Sequence, residues 1–257
     1  MKNLDTRRSI RKYADKAISD ELLHSLLAEA ERTQTMGNLQ LYSVVVTRNQ
    51  DMKEKLAPAH FNQPMVCGAP VVLTFCADFR RTTRWAEERL AHENRKATPG
   101  YDNFLSFINA STDALLFCQT FCNLAEEQGL GLCFLGTTVY QPQLIIDTLQ
   151  LPRLVFPVAT ITLGWPDEQP EQSDRLPLQA IVHDETYHDY TPQDIDKFYE
   201  EKEQLPVNRH FVEINHKETL AQVFTDLRYT RKDNEALSAG MIEALRSQGF
   251  LPQDKQE

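Results

Sequence analysis

All the strand-like runs of this 257-residue sequence lie before residue 165. Apolar and β-branched residues form four such runs, at Tyr42–Thr47, at Ala69–Ala77, within Gly129–Gly136 and at Phe156–Gly164. Between the second and the third, Phe104–Glu127 keeps helical periodicity around an apolar centre. Because the ends of that helix are too polar for a membrane span, we expect it in a core or a subunit interface. The pattern predicts an α+β core.

The sequence changes character after residue 165. An acidic, proline-containing loop follows Pro166, and charged helices are predicted near 192–202, 216–227 and 234–248. We therefore divide the chain into a core, 1–165, and a C-terminal helical extension, 166–257, which we expect to pack on the core or on a second subunit. Two further helices are predicted in the core, at 19–27, capped by Ser19 or Asp20, and at 79–94, with a break at 98–100.

Composition restricts the partners and the compartment. A formal net charge of -10 and a pI near 5.2 argue against nucleic acid or an anionic membrane as the main partner. No apolar run approaches the roughly 20 residues of a membrane span, and the N-terminus lacks the apolar segment of a secretory signal. We interpret the five cysteines as buried free thiols, and the spacing of the seven histidines fits no zinc motif. The expectation is a cytoplasmic protein without a metal site.

A basic cluster at Thr6–Tyr13 opposes the acidic charge of the whole chain. A phosphate monoester needs fixed cationic donors, and a guanidinium offers two parallel N–H groups that match its oxygens. Arg7 and Arg11 stand four residues apart, so on a helix they share a face, with the Ser9 hydroxyl nearby. An ordinary solvated basic N-terminus is the alternative interpretation.

A second polar run, Gly37-Asn38-Leu39-Gln40, precedes the first strand. If this run is extended, the amides of Asn38 and Gln40 point the same way and can meet the edge of a heterocycle that carries donors and acceptors. A loop that simply enters a strand is again the alternative. The combination of the two runs, in this order and at this spacing, is more specific than either one alone.

Together the two runs resemble the flavin mononucleotide (FMN) site of the nitroreductase family, and the resemblance covers almost the whole chain. It extends through Gly129-Leu130-Gly131, Leu163-Gly164-Trp165-Pro166 and Gln248-Gly249-Phe250-Leu251. The branch is that of the larger, oxygen-insensitive nitroreductases and flavin reductases. The resemblance implies a central, mainly antiparallel sheet flanked by helices, with a C-terminal helical extension, in a homodimer. It also implies that FMN carries hydride from NAD(P)H to nitroaromatics, quinones or flavins by a ping-pong mechanism.

The resemblance further implies a set of FMN-binding residues, with no side chain in a catalytic role. Arg7, Ser9 and Arg175 are expected at the phosphate, Arg8 at the ribityl chain and Arg11 at the N1 and O2 edge of the ring. Thr35 and Asn38, from the partner subunit, are expected beside the ring and the ribityl chain. Gln63 is expected at the pyrimidine edge, and Leu135 and Gly136 at the N5 side.

The sequence departs from the family pattern at two points. A lysine often stands two residues before the position of Arg175, but here that residue is Ser173. The region that would hold the extra phosphate of NADPH begins with Glu200-Glu201, and Arg209 is its only fair candidate. Two other functions stay open at this level: a flavin-binding protein that buffers or senses FMN without turnover, and a non-flavin regulatory domain that binds phosphate or a nucleotide.

Overall fold

Four strands form one sheet, in which every neighbouring pair is antiparallel. The structure is a computed structural model that describes residues 4–91 and 100–252. The strands are β1 (Tyr42–Thr47), β2 (Val71–Asp78), β3 (Gly131–Leu135) and β4 (Val155–Gly164), in the order β1-β2-β4-β3. They coincide with the four predicted runs, and the predicted fold class, a mainly antiparallel sheet flanked by helices, is confirmed. β2 is buried along its whole length because it is central.

Ten α-helices occur in the described residues, and the predicted ones are confirmed except near 216–227, where a four-residue α-helix is followed by a π-helical segment. They are α1 (Asp20–Ala30), α2 (Gln50–Leu56), α3 (Pro64–Gly68), α4 (Arg80–Ala91), α5 (Phe104–Glu127), α6 (Pro142–Leu149), α7 (Pro192–Gln204), α8 (Pro206–Ile214), α9 (Leu220–Val223) and α10 (Arg231–Ser247). The Ser19 side chain caps α1 by accepting from Leu22 N. Residues 92–99, for which the sequence predicts the end of the fourth helix and its break, lie outside the described residues.

The chain divides into two structural units. The first comprises the described residues up to Glu171 together with those from Leu237 onward, and the second is Gln172–Ala236. The second unit is helical, with a π-helical segment at Phe224–Arg228. The region considered for the extra phosphate of NADPH, which begins at Glu200, is not a loop. It comprises the end of α7 and the start of α8, which begins at Pro206. The predicted division at residue 165 separates a cofactor-binding core from an extension that packs on the core or on a partner subunit, and this division stays a prediction.

The core of the first unit is built around α5. Phe117 and Phe121 pack with Phe75 of β2, with ring centroids 5.9 and 6.1 Å apart. A second cluster joins Phe107 to Phe156 of β4 and to Phe250, which follows α10 and is 0% exposed. Complete burial of one such side chain contributes about 1.5 to 3 kcal/mol to the free energy of unfolding. Packing on α5 therefore holds both the sheet and the segment of Phe250 in place.

No helix in the described part of the chain combines the length and the apolar character needed to cross a bilayer. Within residues 4–91 and 100–252, no group of three or more histidine, cysteine, aspartate or glutamate side chains could hold a metal ion. The five cysteines are free, and four of them are buried, as predicted; Cys67 is half-buried.

Two opposed glycines let the N-terminal segment lie directly on the sheet. Gly131 and Gly164 are partners in the β3–β4 register. A Cβ at Gly131 would stand 2.7 Å from the Ile10 side chain, and a Cβ at Gly164 would stand 2.6 Å from that of Tyr13. Real Cβ atoms do not approach that closely, so a side chain at either position would lift the segment away.

Hydrogen bonds hold the same segment along its length. Ile10 N donates to Leu132 O at 2.9 Å, and Ala14 N donates to Trp165 O at 2.9 Å. The Tyr13 hydroxyl donates to Ile10 O at 2.7 Å and pairs with the Thr162 hydroxyl at 2.6 Å. Burial raises the pKa of Tyr13 above its ordinary value, so the phenol stays protonated and keeps its donor.

A buried histidine joins two turns beside β3. His60 is 0% exposed, and its Nδ1 lies 2.9 Å from Thr137 Oγ1. Its Nε2 has no hydrogen-bond partner among the described residues. Burial lowers the pKa of His60 to about 4, so the ring is neutral in the folded protein.

We expect His60 to make the folded protein less stable as the pH falls from about 6.5 towards 4. The unfolded histidine, with a pKa of about 6.5, takes up a proton in this window, whereas the folded one does not. The contribution is at most about 3 kcal/mol, from about 1.4 kcal/mol per pKa unit. Urea unfolding at pH 4.5, 5.5 and 7 should give a smaller pH dependence for His60→Asn, while His24→Asn on the exposed side of α1 keeps that of the wild type. An unchanged slope in His60→Asn would contradict the assignment.

Candidate functional site

The basic segment lies along the outer strand β3, and it is not helical. Residues 7–12 carry no helix, so the expectation that Arg7 and Arg11 share a helix face is wrong. The backbone of the segment instead hydrogen bonds to other parts of the same chain, at Leu132 and Trp165, as described for Ile10 and Ala14. The backbone N–H groups of Arg11 and Lys12 donate to Glu168 Oε1 at 2.5 and 3.0 Å. These bonds hold the pKa of the Glu168 carboxyl below its ordinary value, which keeps it charged as an acceptor.

The two arginines nevertheless converge, at the middle of β3. Burial raises the pKa of the Cys133 thiol, and the charges of both Arg11 and Arg7 act against that rise. Arg11 lies close enough to this thiol to lower its pKa. Ser9, between the two arginines in the sequence, is half-buried. Cys133 and Leu135 occupy the same face of β3 because strand side chains alternate, so the cationic groups stand beside the strand that ends at Leu135.

A cavity of about 260 Å³ opens beside this segment. Its walls include Arg7 and Arg8, the end of α5, the start of β3, and Pro166, Glu168 and Gln169. Burial raises the pKa of Glu126 in the wall, and the charge of Arg7 acts in the opposite direction. Arg8 donates from one guanidinium nitrogen to Thr6 O at 3.3 Å, while its buried Nε has no partner among the described residues. Arg8 therefore lines the cavity and carries a buried donor without a partner among the described residues.

The end of β3 carries the two residues predicted for the N5 side. Leu135 is 2% exposed, and Gly136 begins a 3-10 turn at Gly136–Val139. A Cβ added at Gly136 would meet nothing within 4 Å, so this backbone faces open space. A planar ligand can approach such a backbone closely.

Gln63 lies on a neighbouring turn. It precedes the first residue of α3, is half-buried, and its side chain makes no capping hydrogen bond. Phe61 and Asn62 before it both have a φ of 54°, in the left-handed region that non-glycine residues adopt only under constraint. Because His60 in the same segment bonds to Thr137, the structure brings Gln63 and Gly136 onto adjoining turns.

Thr35 and Asn38 occupy a separate place in the chain. Met36–Asn38 forms a 3-10 turn, and Asn38 and Gln40 have left-handed φ values of 55° and 53°. The run is not extended, which was the condition for the two amides to point the same way, because the backbone turns at Gly37. The two amides still meet, since Gln40 Nε2 donates to Asn38 Oδ1 at 3.3 Å.

The position of this loop along α5 separates it from the arginines. Met36 N donates to Asp113 of α5, whereas Glu126 of the same helix lines the cavity beside Arg7. Thirteen residues of helix correspond to about 20 Å. A single chain thus groups Arg7–Arg11, Gln63, Leu135 and Gly136 around β3 and holds Thr35 and Asn38 elsewhere.

Arg175 belongs to the second unit, where it is exposed. Its guanidinium donates to Ser173 O at 3.4 Å and to Asp174 O at 2.7 Å. Asp174 also forms an ion pair with Lys202 at 2.7 Å.

In the same unit Arg209 lines a cavity of about 320 Å³ together with Glu203, Glu213 and Glu218. Three carboxylates around one arginine disfavour a phosphate there.

Sequence reasoning missed three residues that organise these turns. Asp113 and Arg81 anchor the loop of Asn38, and His60 joins the turns of Gln63 and Gly136. A signal existed for Asp113, because a charged residue directly before the apolar centre of α5 requires a partner. No sequence signal distinguishes Arg81 from its neighbours on a charged, exposed helix.

Comparison with known proteins places this geometry in one family. The model of the nitroreductase family matches residues 4–165. The FMN reductase (NAD(P)H) of Bacillus subtilis is 33% identical over 187 residues, which cover 73% of this chain and 74% of that protein. The oxygen-insensitive NADPH nitroreductase of Salmonella typhimurium is 27% identical over 180 residues, 70% of this chain and 71% of that one.

Solved structures agree with the family match. The crystal structure of a Bacteroides fragilis protein has a TM-score of 0.94 and 58% sequence identity, covering 98% of this chain and 100% of that one. The four-stranded antiparallel sheet, the basic segment along β3 and the match over residues 4–165 agree with one another: the chain belongs to the nitroreductase family.

Proposed function

We propose that this protein is an FMN-dependent oxidoreductase that takes hydride from NAD(P)H and passes it to nitroaromatics, quinones or flavins in a ping-pong reaction. The observation that carries the proposal is the basic segment of Arg7 and Arg11, which hydrogen bonds through Ile10 N to the strand whose end, at Gly136, faces open space. The names of the relatives, an FMN reductase and an NADPH nitroreductase, support it. We assign the protein to the cytoplasm because its five cysteines are unpaired.

The donor set suits the phosphate of FMN. Arg7 supplies a guanidinium and Ser9 a hydroxyl, and the buried Nε of Arg8 is a cationic donor without a partner among the described residues. An anionic or oxygen-rich group in the adjoining cavity would satisfy that donor. We assign Arg7 and Ser9 to the phosphate, with Arg175 as a further ligand, and Arg8 to the ribityl chain. This set fits one phosphate better than the diphosphate of FAD.

The remaining residues orient the ring system. We assign Arg11 to the N1 and O2 edge, where a cation stabilises negative charge, and Gln63 to the pyrimidine edge. Leu135 and Gly136 then line the N5 side, and Thr35 and Asn38 come from a partner subunit. FMN supplies the two-electron chemistry when bound. The chain contributes proximity and alignment, so no side chain is required as a general acid.

The central test is the identity and reactivity of the bound chromophore. The purified protein, reconstituted with FMN if necessary, should release FMN on denaturation, and anaerobic addition of NADH or NADPH should bleach its absorbance. A yellow protein that resists bleaching by both donors would instead be a flavin-binding protein without turnover. Released FAD, or no flavin after reconstitution, would exclude the proposal.

Arg7→Ala and Arg11→Ala should separate binding from turnover. Loss of a charge-assisted contact costs about 1.5 to 3 kcal/mol, so Arg7→Ala should weaken FMN binding about 10- to 100-fold. Arg11→Ala should slow bleaching by the donor more than it weakens binding, because its charge lies beside the ring. Fluorescence titration and stopped-flow absorbance measure the two effects, with Arg231→Ala, at a fully exposed ion pair, as the control. Equal effects on affinity and no effect on rate would refute the assignment.

The exposed face of α5 supports the proposal of a homodimer. That face carries five apolar side chains that are at least 41% exposed, namely Phe104, Leu105, Ile108, Leu115 and Leu116. Several large exposed apolar side chains on one helix face are typical of an interface, and obligate dimers often bury more than about 2,000 Å². The dimer would also supply Thr35 and Asn38 to the other subunit's flavin, which accounts for their separation from the arginines.

Leu116→Glu should therefore produce monomers and release FMN together. Light scattering and FMN titration on the same samples measure this. Ile195→Glu in α7 is the control, since Ile195 is 43% exposed against 41% for Leu116. A monomeric variant that binds FMN as tightly as the wild type would contradict a site shared between subunits.

The donor preference should be weak. A 2′-phosphate needs cations, and the cavity of Arg209 is lined by three glutamates. We expect kcat/KM for NADH close to or above that for NADPH, and Arg209→Ala should remove any NADPH advantage while NADH turnover is unchanged. A strong NADPH preference that persists in Arg209→Ala would place the donor site elsewhere.

A further inference from the structure

A wholly buried carboxylate anchors the loop of Asn38 to α5. Asp113 is 0% exposed. Its Oδ1 accepts from Met36 N at 2.9 Å and its Oδ2 accepts from Leu41 N at 3.1 Å. Within residues 4–91 and 100–252, no lysine, arginine or histidine forms an ion pair with it. Because a buried charge is costly without hydrogen bonds, Asp113 depends on these two N–H groups as much as the loop depends on Asp113.

The chain between those two N–H groups is held in an uncommon conformation. Gly37, Asn38 and Gln40 have φ values of 56°, 55° and 53°. Left-handed non-glycine residues persist only where their surroundings determine them. Residues 36–40 are exposed and contribute little packing of their own. The two bonds to Asp113, one at each end, hold this conformation together with the loop's own bonds, from Leu39 N to Met36 O at 3.1 Å and from Tyr42 N to Gln40 O at 2.8 Å.

A second anchor fixes the side of the loop that enters β1. The Arg81 guanidinium donates to Tyr42 O at 3.2 Å and to Gln40 O. Asp78 at the end of β2 accepts from the Ser43 hydroxyl and from Arg81 N. Arg81 and Asp113 thus both hold the exit of the loop, through Gln40 O and Leu41 N, whereas of these two side chains only Asp113 holds Met36 at the start of the 3-10 turn that carries Asn38.

The anchored loop presents one amide in a defined orientation. Gln40 Nε2 donates to Asn38 Oδ1, which uses the amide oxygen inside the loop. No hydrogen bond among the described residues uses Asn38 Nδ2, so the exposed NH2 group is the donor that a ligand oxygen can accept from. The orientation of the Asn38 amide depends on the 3-10 turn that begins at Met36, and Asp113 holds this turn through Met36 N.

We propose that Asp113 is a positioning residue for the FMN site, which holds loop 36–41 in the left-handed conformation that presents the Asn38 amide to the cofactor. This inference rests on the proposed function. Asp113 itself touches neither cofactor nor substrate. It acts through the backbone of Met36 and Leu41, so its removal should affect cofactor binding through the turn that carries Asn38.

The test is the dissociation constant of FMN, measured by fluorescence quenching without turnover. Asp113→Asn keeps the shape of the side chain but turns one acceptor into a donor, so either Met36 N or Leu41 N loses its partner. FMN binding should weaken about tenfold or more. Asp147→Asn on α6 is the control, because it also removes the charge of a helical carboxylate, here an exposed one bonded to Gln143, and should change binding less than twofold.

A double-mutant cycle with Asn38→Ala separates positioning from general loss of structure. If Asp113 acts through Asn38, Asp113→Asn should cost less than about threefold in the Asn38→Ala background, since interacting positions are not additive. Equal costs in both backgrounds would mean that Asp113 acts elsewhere and would overturn the inference. Unchanged FMN affinity in Asp113→Asn would overturn it as well.

Met36→Pro serves if Asp113→Asn does not fold. Proline at position 36 removes the N–H that donates to Asp113 Oδ1. This is the first position of the 3-10 turn, where proline is tolerated. Thr35 has φ -141° and ψ 157°, which is compatible with a following proline. Met36→Pro should weaken FMN binding as Asp113→Asn does, and wild-type affinity in this variant would overturn the inference. If the wild-type protein itself fails to bind FMN, the proposed function falls and the inference with it; if only the variants match the wild type, the inference falls alone.

Discussion

The contact between residues 10–14 and the paired glycines of β3 and β4 decides where the cationic groups of the site lie. Gly131 and Gly164 remove two Cβ atoms at the point where Ile10 and Tyr13 cross the sheet. The backbone of the segment can then hydrogen bond to Leu132 and Trp165. Arg11 lies within this short stretch and Arg7 just before it, so their position near Cys133 follows from a packing constraint that involves no charge.

How much could be predicted depended on the length of each pattern. β1 to β4 and α5 follow from runs long enough to show their period, and all of them were predictable. α2, α3 and α6 have 5 to 8 residues, about two turns or fewer, which is too short for a helical period to emerge. The arginine cluster was predictable as a group, but its geometry was not. Its neighbour is a strand more than 100 residues away, and local spacing carries no information about such a contact.

The conformation of the loop that carries Asn38 could not be predicted for the same reason. Its composition marks polar residues before a strand, but the left-handed turn depends on Asp113, which is 77 residues from Met36. α5 therefore has two roles in the proposed dimer. One face carries the exposed apolar side chains of the interface, and the other holds the loop that would reach the neighbouring flavin. Subunit association and cofactor binding would then depend on one helix.

The burial of Phe250 has a consequence for the order in which this protein can form during synthesis. Phe250 packs against Phe107, and Gln248 O accepts from Leu154 N. The sheet and α5 are complete in sequence by residue 164, yet this part of their core stays open until residue 250 has left the ribosome. The whole second unit, Gln172–Ala236, is translated in that interval. The nascent chain must therefore carry an unfinished apolar surface, a state prone to aggregation, and its final closure waits on its C-terminal residues.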